Sequence, residues 1–193
     1  MIDKAIILIK DKVNAYLKLK ADITDDKVAL NNILSQDGST SHLPDNSILL
    51  SLVNIEEDRI LANSKDIYKE VSDDSISKIN PPVHLNLYVL FSANFSEDNY
   101  IEAIKFLSYI IGFFQGYPVF NHQNSSELNE NIEKLIFDLY NMNFEQQNHL
   151  WGTLGAKYMP SVIYKVRLVT IQEDIAIETR RKIGEIERKI EST

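Results

Sequence analysis

The sequence predicts an α+β domain in which a mixed, largely antiparallel sheet is flanked by helices, and three observations carry that prediction. Residues 2–17 repeat apolar side chains at intervals of three and four, the period of an amphipathic helix, and residues 97–115 are bracketed as a second helix by start and stop signals. Residues 83–95 alternate apolar and polar side chains over the length of a long strand. Such segments interleave along the chain in the order α, β, β, β, α, β, α, β, separated by polar stretches rich in turn residues.

The first helix is defined by Ile2, Ile6, Ile9, Val13, Tyr16 and Leu17, with Asp3, Lys4, Lys10, Asp11, Lys12 and Lys18 on its other faces. Two alternating runs, Lys27 to Leu34 and Ser47 to Glu57, read as neighbouring strands joined by a long loop. From Arg59 to Asn80 the chain is polar and weakly patterned, and it ends at Pro81-Pro82, where helix and central-strand pairing both fail; it reads as a surface excursion. In the long strand, Val83, Leu85, Leu87, Val89, Phe91, Ala93 and Phe95 form a core face, and His84, Asn86, Tyr88, Leu90, Ser92 and Asn94 a semi-polar one.

Ser96 is placed as an N-cap before Glu97 and Asp98, whose charges suit a helix N-terminus, and Gly116 with Pro118 marks the stop. The polar positions of this helix, Glu102, Lys105, Ser108, Gly112 and Gln115, form one thin stripe. A surface helix needs a wider polar face, so the flank with Tyr109, Phe113 and Phe114 is buried inside the fold or against another subunit, and the interior is favoured. After a polar loop, EKLIFDLYNMNF alternates as a strand. A short helix follows in EQQNHLWGTLG, with Asn143 and Gln146 at capping-box spacing and Gly155 as its C-cap. Pro160 resets the chain before SVIYKVRLVTI, whose faces carry Val162, Tyr164, Val166 and Leu168 on one side and Ile163, Lys165, Arg167 and Val169 on the other. Near the end, Ile183, Ile186 and Ile190 keep a helical seam flanked by both charge signs. The predicted division is therefore one domain over residues 1–173 and a C-terminal amphipathic helical tail over 174–193.

Composition narrows the function. The chain has 193 residues, 44% hydrophobic and 25% charged, the values of a folded globular domain with an appendage. Its formal charge of −8 disfavours a partner whose phosphates must be neutralised, so no nucleic acid is expected. The absence of cysteine removes disulfides, thiol nucleophiles and Cys-based zinc sites. Lys and Asp interrupt every apolar run of MIDKAIILIKDKVNAYLKLK, and no stretch approaches the ~20 apolar residues of a membrane span, so cytoplasmic synthesis and no direct membrane insertion are expected.

No catalytic group is legible, and no metal or other cofactor is expected. His42, His84, His122 and His149 lie scattered, with a single Glu145/His149 pair at helical spacing. On the semi-polar strand face, His84 fits a hydrogen-bonded structural imidazole better than a catalytic one. Glu56, Glu57 and Asp58 are consecutive, and neighbouring carboxylates on a strand point to opposite faces, so they do not converge on one bond. The six glycines fall in no phosphate-cradling pattern, and no G-x-S-x-G occurs. Trp151, with Lys157, Tyr158 and Arg167, concentrates aromatic and basic side chains in an acidic chain. It reads as a core anchor of the short helix or as the centre of a protein interface.

Four segments, LWGTLGAKYMPSVIYKVRL, NPPVHLNLYVLFSANF, SLVNIEEDR and EAIKFLSYIIGFFQG, closely resemble a family of tail-terminator or cap proteins of phage-tail-like contractile injection systems, formerly a domain of unknown function. The likeness runs from about Ile2 to Glu173. It implies a tail-terminator-like fold and a non-enzymatic structural role: a homo-oligomer, a hexameric ring, that ends polymerisation of the inner-tube protein and holds the last ring of the sheath protein at the end distal to the baseplate. It also implies assembly in the cytoplasm followed by incorporation into an injection particle. The family-motif positions with exposed-type chemistry are Glu56, Glu57, Arg59, Trp151, Lys157, Tyr158, Lys165 and Arg167, which become the candidate interface residues. An adaptor within the particle, anchoring it to a membrane or partner or helping to load cargo, is the alternative.

Overall fold

The protein is described by a computed structural model over residues 1–33, 43–58, 67–72, 75–79, 83–171 and 176–181; for residues 67–72, 75–79, 83, 169–171 and 176–181 the description is of the backbone. A six-stranded mixed sheet forms the centre, in the order β1-β2-β5-β8-β7-β6. Its strands are β1 (Val28–Leu30), β2 (Ser47–Glu57), β5 (Val83–Asn94), β6 (Val119–Asn121), β7 (Lys134–Tyr140) and β8 (Ser161–Ile171). Every neighbouring pair is antiparallel except β1 and β2, which run parallel.

The period-2 pattern of β5 sorts the two faces as the sequence predicts. Leu87, Val89, Phe91 and Ala93 lie in the main core, beneath α1 (Ile2–Ala21) and α2 (Tyr100–Gly116). Ala5, Ile6, Ile9, Val13 and Leu17 of α1 join that core at helical spacing. Phe113 and Phe114 of α2 pack inward, Phe114 against Phe91, Phe137 and Tyr164 with ring centroids 5.7, 4.5 and 4.5 Å away. Tyr109, half-buried, packs against the same cluster, so the aromatic flank of α2 is interior to the fold. On the opposite face, α3 (Phe144–Leu154) closes a smaller cluster of Ile33, Leu90, Trp151 and Ile163.

The helix boundaries have local causes. The Asn143 side chain accepts from the Gln146 N–H while the Gln146 side chain accepts from the Asn143 N–H, the expected capping box, and Gly155 ends α3 at φ 66°. At α2 the start differs from expectation. Ser96 precedes a 3-10 turn, Glu97–Asn99, without a side-chain cap bond, and the α-helix begins at Tyr100 after Asn99. Ser96 and Asn99 instead gather around Asn46, whose Oδ1 accepts from Ser96 N at 3.2 Å and Asn99 Nδ2 at 3.1 Å. Tertiary bonding thereby replaces the local cap.

Three more expectations are corrected. The strand expected over Lys27 to Leu34 is shorter, Val28–Leu30, although it does lie beside β2. The segment taken as a surface excursion contains β3 (Ile67–Ser72) and β4 (Ser75–Ile79), antiparallel to each other. The expected helical tail begins as a strand, β9 (Ala176–Arg181), which pairs with β4 in a second, three-stranded sheet ordered β3-β4-β9. Ile177 and Thr179 are β-branched, and the ladder offered by β4 satisfies backbone groups that an isolated helix turn would leave open. Ile183, Ile186 and Ile190 lie outside the described residues.

Candidate interaction surface

The sheet face that carries α3 has a polar half. At Leu52/Asn54 the register between β2 and β5 shifts by one residue, so Asn54 faces Tyr88 and Glu56 faces Asn86. Without that bulge Asn54 and Glu56 would turn to the core face, so one extra residue places both on the outer side. The Glu56 carboxylate accepts from the Tyr88 hydroxyl at 2.8 Å and the Asn54 amide at 3.0 Å. Tyr88 stands edge-on to Tyr140 at 5.1 Å. Burial first, and the Glu56 carboxylate second, push the Tyr88 hydroxyl up to about 12. It therefore stays a hydrogen-bond donor at every physiological pH.

The row continues across the sheet. In register, Tyr88 faces Lys165, which faces Asp138, and Arg167 lies beside them opposite Asn86. Arg167 donates from Nε and Nη2 to Asp138 Oδ2 at 3.1 and 3.0 Å. Both side chains are about half exposed, so this pair is worth little to stability and is open to a partner. Asn86 is buried in the same face, and its Oδ1 has no hydrogen-bond partner among the described residues; nor has Nδ1 of His84, expected to be satisfied.

Three of the eight candidate residues, Glu56, Lys165 and Arg167, thus converge on one surface. Trp151 adjoins them but is only 4% exposed, with its indole in the α3 cluster. Tyr158 packs edge-on against it at 5.8 Å and is itself exposed, as is Lys157. Glu57, in register with Leu85, turns to the other face, and Arg59 lies outside the described residues. Sequence reasoning missed Asn54, Tyr88 and Asp138. Each sat in an alternating run, but which polar residues meet across strands depends on register and bulge, which spacing along one strand does not contain.

Beside this row lies apolar surface. Phe144, 90% exposed, and Leu139 line a groove of about 480 Å³ between α3 and the β7/β8 ends. A second groove, of about 420 Å³, lies between Ile111 of α2 and Asp138 and Leu139 of β7. A third, of about 730 Å³, runs between Ile6 and Ile7 of α1 and Leu30 and Leu52 of the β1/β2 edge. Strand β6 pairs with β7 only from Lys134 to Ile136, so beyond Phe137 the outer edge of β7 has no strand beside it among the described residues. Among the described residues no three metal-ligating side chains gather, and no helix is long and apolar enough to cross a membrane. These surfaces offer contact area and an open strand edge.

The family profile described as the Pvc16 N-terminal domain matches residues 7–185. No curated protein matches the sequence. Among solved structures, the fold is similar to the sheath/tube terminator of an extracellular contractile injection system in its extended state, with a TM-score of 0.64 and 14% identity over 100% of this chain and 64% of that one. It is also similar to the tube-terminating cap of the anti-feeding prophage, with a TM-score of 0.54 and 15% identity over 93% of this chain and 58% of that one. The chain spans less than two-thirds of the length of either.

Proposed function

Since the chain belongs to the Pvc16 N-terminal domain family, we propose that it acts as a structural cap, a terminator that ends the inner tube of a contractile injection system and holds the last sheath ring. The observation that carries this reading is the likeness of the whole chain to a sheath/tube terminator, together with a family match over residues 7–185. In this reading the subunits form a closed hexameric ring, in which each copy uses two different surfaces, one against each neighbour. The apolar grooves beside α1 and beside α2 are two such surfaces within one chain. The open edge of β7 suits a strand added by the sheath protein, with Leu139 flanking it as a side-chain contact. Glu56, Lys165 and Arg167, with Tyr158 and Lys157 at the α3 end, supply the polar rim. Glu57, Trp151 and Arg59 are the remaining candidates, Trp151 acting from beneath the surface.

The test is electron microscopy of particles from cells lacking the protein. Tubes of uncontrolled length, or sheaths without a closing layer, are expected, and complementation with the full chain restores uniform capped particles. Normal capped particles in its absence would reject the role.

A further inference from the structure

Where the bulge of β2 meets α3, the outer face of the sheet holds a pocket of about 160 Å³. Asn54, Glu56, Tyr88 and Tyr140 form its polar and aromatic wall, and Leu150 and Ile163 give it an apolar floor. Glu56 is the only charged residue among those that line it. Among the described residues this carboxylate is held by two neutral donors and by no cation.

Those donors are themselves fixed. The Ile55 N–H donates to Asn54 Oδ1 at 2.9 Å, which turns the Asn54 amide nitrogen onto Glu56 Oε1, while the Tyr88 hydroxyl donates to Oε2. One acceptor site on each carboxylate oxygen is taken and another stays open. The pocket therefore presents a ligand with oriented acceptors and ring surface, because the Tyr88 hydroxyl is already turned onto Glu56. A guanidinium is the complement of that set: it is a permanent cation, its N–H fork matches a carboxylate, and its plane packs on aromatic rings. An anion would be repelled by Glu56, and a neutral side chain would cover the carboxylate without pairing it. Size narrows the choice further. The pocket is well below the roughly 300–1,000 Å³ of a small-molecule site, so it takes one side chain, whose methylene stem would lie along Leu150 and Ile163.

We infer that this pocket receives an arginine side chain of a partner protein, with its guanidinium on the Glu56 carboxylate and against the rings of Tyr88 and Tyr140. The free amino acid would bring an ammonium and a carboxylate of its own, for which the lining residues hold no charged partner besides Glu56. The neighbouring cations do not oppose the guest. Arg167 is paired with Asp138, and Lys165, which faces Asp138 in register, does not line the pocket. On a chain with a formal charge of −8, such a pocket selects a basic patch on the facing surface. The inference does not depend on the cap reading.

The test is titration of the full chain with acetyl-arginine amide, followed by NMR of the tyrosine rings, with the two signals identified through Tyr88→Phe and Tyr140→Phe. Saturable shifts of both rings are expected at millimolar concentration, the strength of one charge-assisted contact. Acetyl-citrulline amide, which has the same shape without the charge, is expected to give none there, and acetyl-lysine amide is expected to bind several-fold more weakly. Glu56→Gln keeps the shape of an exposed side chain, so its urea midpoint should match that of the parent while its affinity falls about tenfold or more. Equal binding of the citrulline compound, or unchanged affinity in Glu56→Gln, overturns the role of the carboxylate. Equal binding of the lysine compound overturns the guanidinium, and tighter binding of free arginine overturns the assignment to a partner's side chain. No saturable shift at either ring overturns the whole inference and leaves the cap reading standing.

Discussion

Asn14 is the residue on which the first helix and the sheet edge depend together. It is buried on α1, where its Oδ1 accepts from the backbone N–H of Lys27 at 3.0 Å and of Val28 at 2.8 Å, and its Nδ2 donates to the Val28 carbonyl at 2.9 Å. β1 is a short parallel edge strand, so its backbone has few ladder partners of its own, and one side chain supplies three bonds. Asn14→Ala strips those partners from buried groups, for which the expected loss is about 3 kcal/mol. Urea unfolding should show a lower midpoint with an unchanged slope. A loss below about 1 kcal/mol would mean that water or a backbone shift satisfies β1, and that Asn14 does not anchor it.

At the scale of elements, α3 is both the best-signalled helix in the sequence and the lid of the smaller core. Its capping box and its αL glycine were both legible, because each is a short-range pattern of fixed spacing, whereas the sequence left Trp151 between a core anchor and an interface centre and only the fold turns it inward. Asn143→Ala should cost about 1 kcal/mol. Trp151 is the sole tryptophan, so its fluorescence reports that loss in the cluster it occupies with Leu90 and Ile163. An unchanged midpoint would show that packing of Trp151, and not the cap, sets the position of α3. The elements that were not legible share a different cause. β3, β4 and β9 are short, their runs carry at least as many polar as apolar residues, and the strand that completes their sheet joins residues 75–79 to 176–181, about a hundred positions apart. No local pattern announces a ladder of that separation. The same limit hid the polar row: Glu56, Lys165 and Arg167 were selected as residue types, whereas Asn54, Tyr88 and Asp138 needed the β2 bulge and the β7–β8 register to appear beside them.

For the whole molecule, the proposed ring sets a net charge of −8 on each copy beside the same charge on its neighbours. That repulsion is long-range and is screened as the Debye length falls from about 30 Å near 0.01 M salt to about 8 Å near 0.15 M. The two kinds of surface then answer salt in opposite directions. Contacts through Ile101, Ile104, Ile111 and the apolar grooves lose nothing to screening, so removing the repulsion strengthens assembly. Contacts through the charged row of Glu56, Lys165, Arg167 and Asp138 weaken as their cross-subunit attractions are screened. The extent of exposed apolar surface on α2, set against the modest worth of exposed ion pairs, favours the first. Sedimentation of the full chain between about 0.01 and 0.15 M salt is therefore expected to show association several-fold stronger at the higher salt. Dissociation over that range would move the subunit contact from α2 to the polar face of the sheet, because an apolar seam between like-charged copies has no means of weakening as their repulsion is removed.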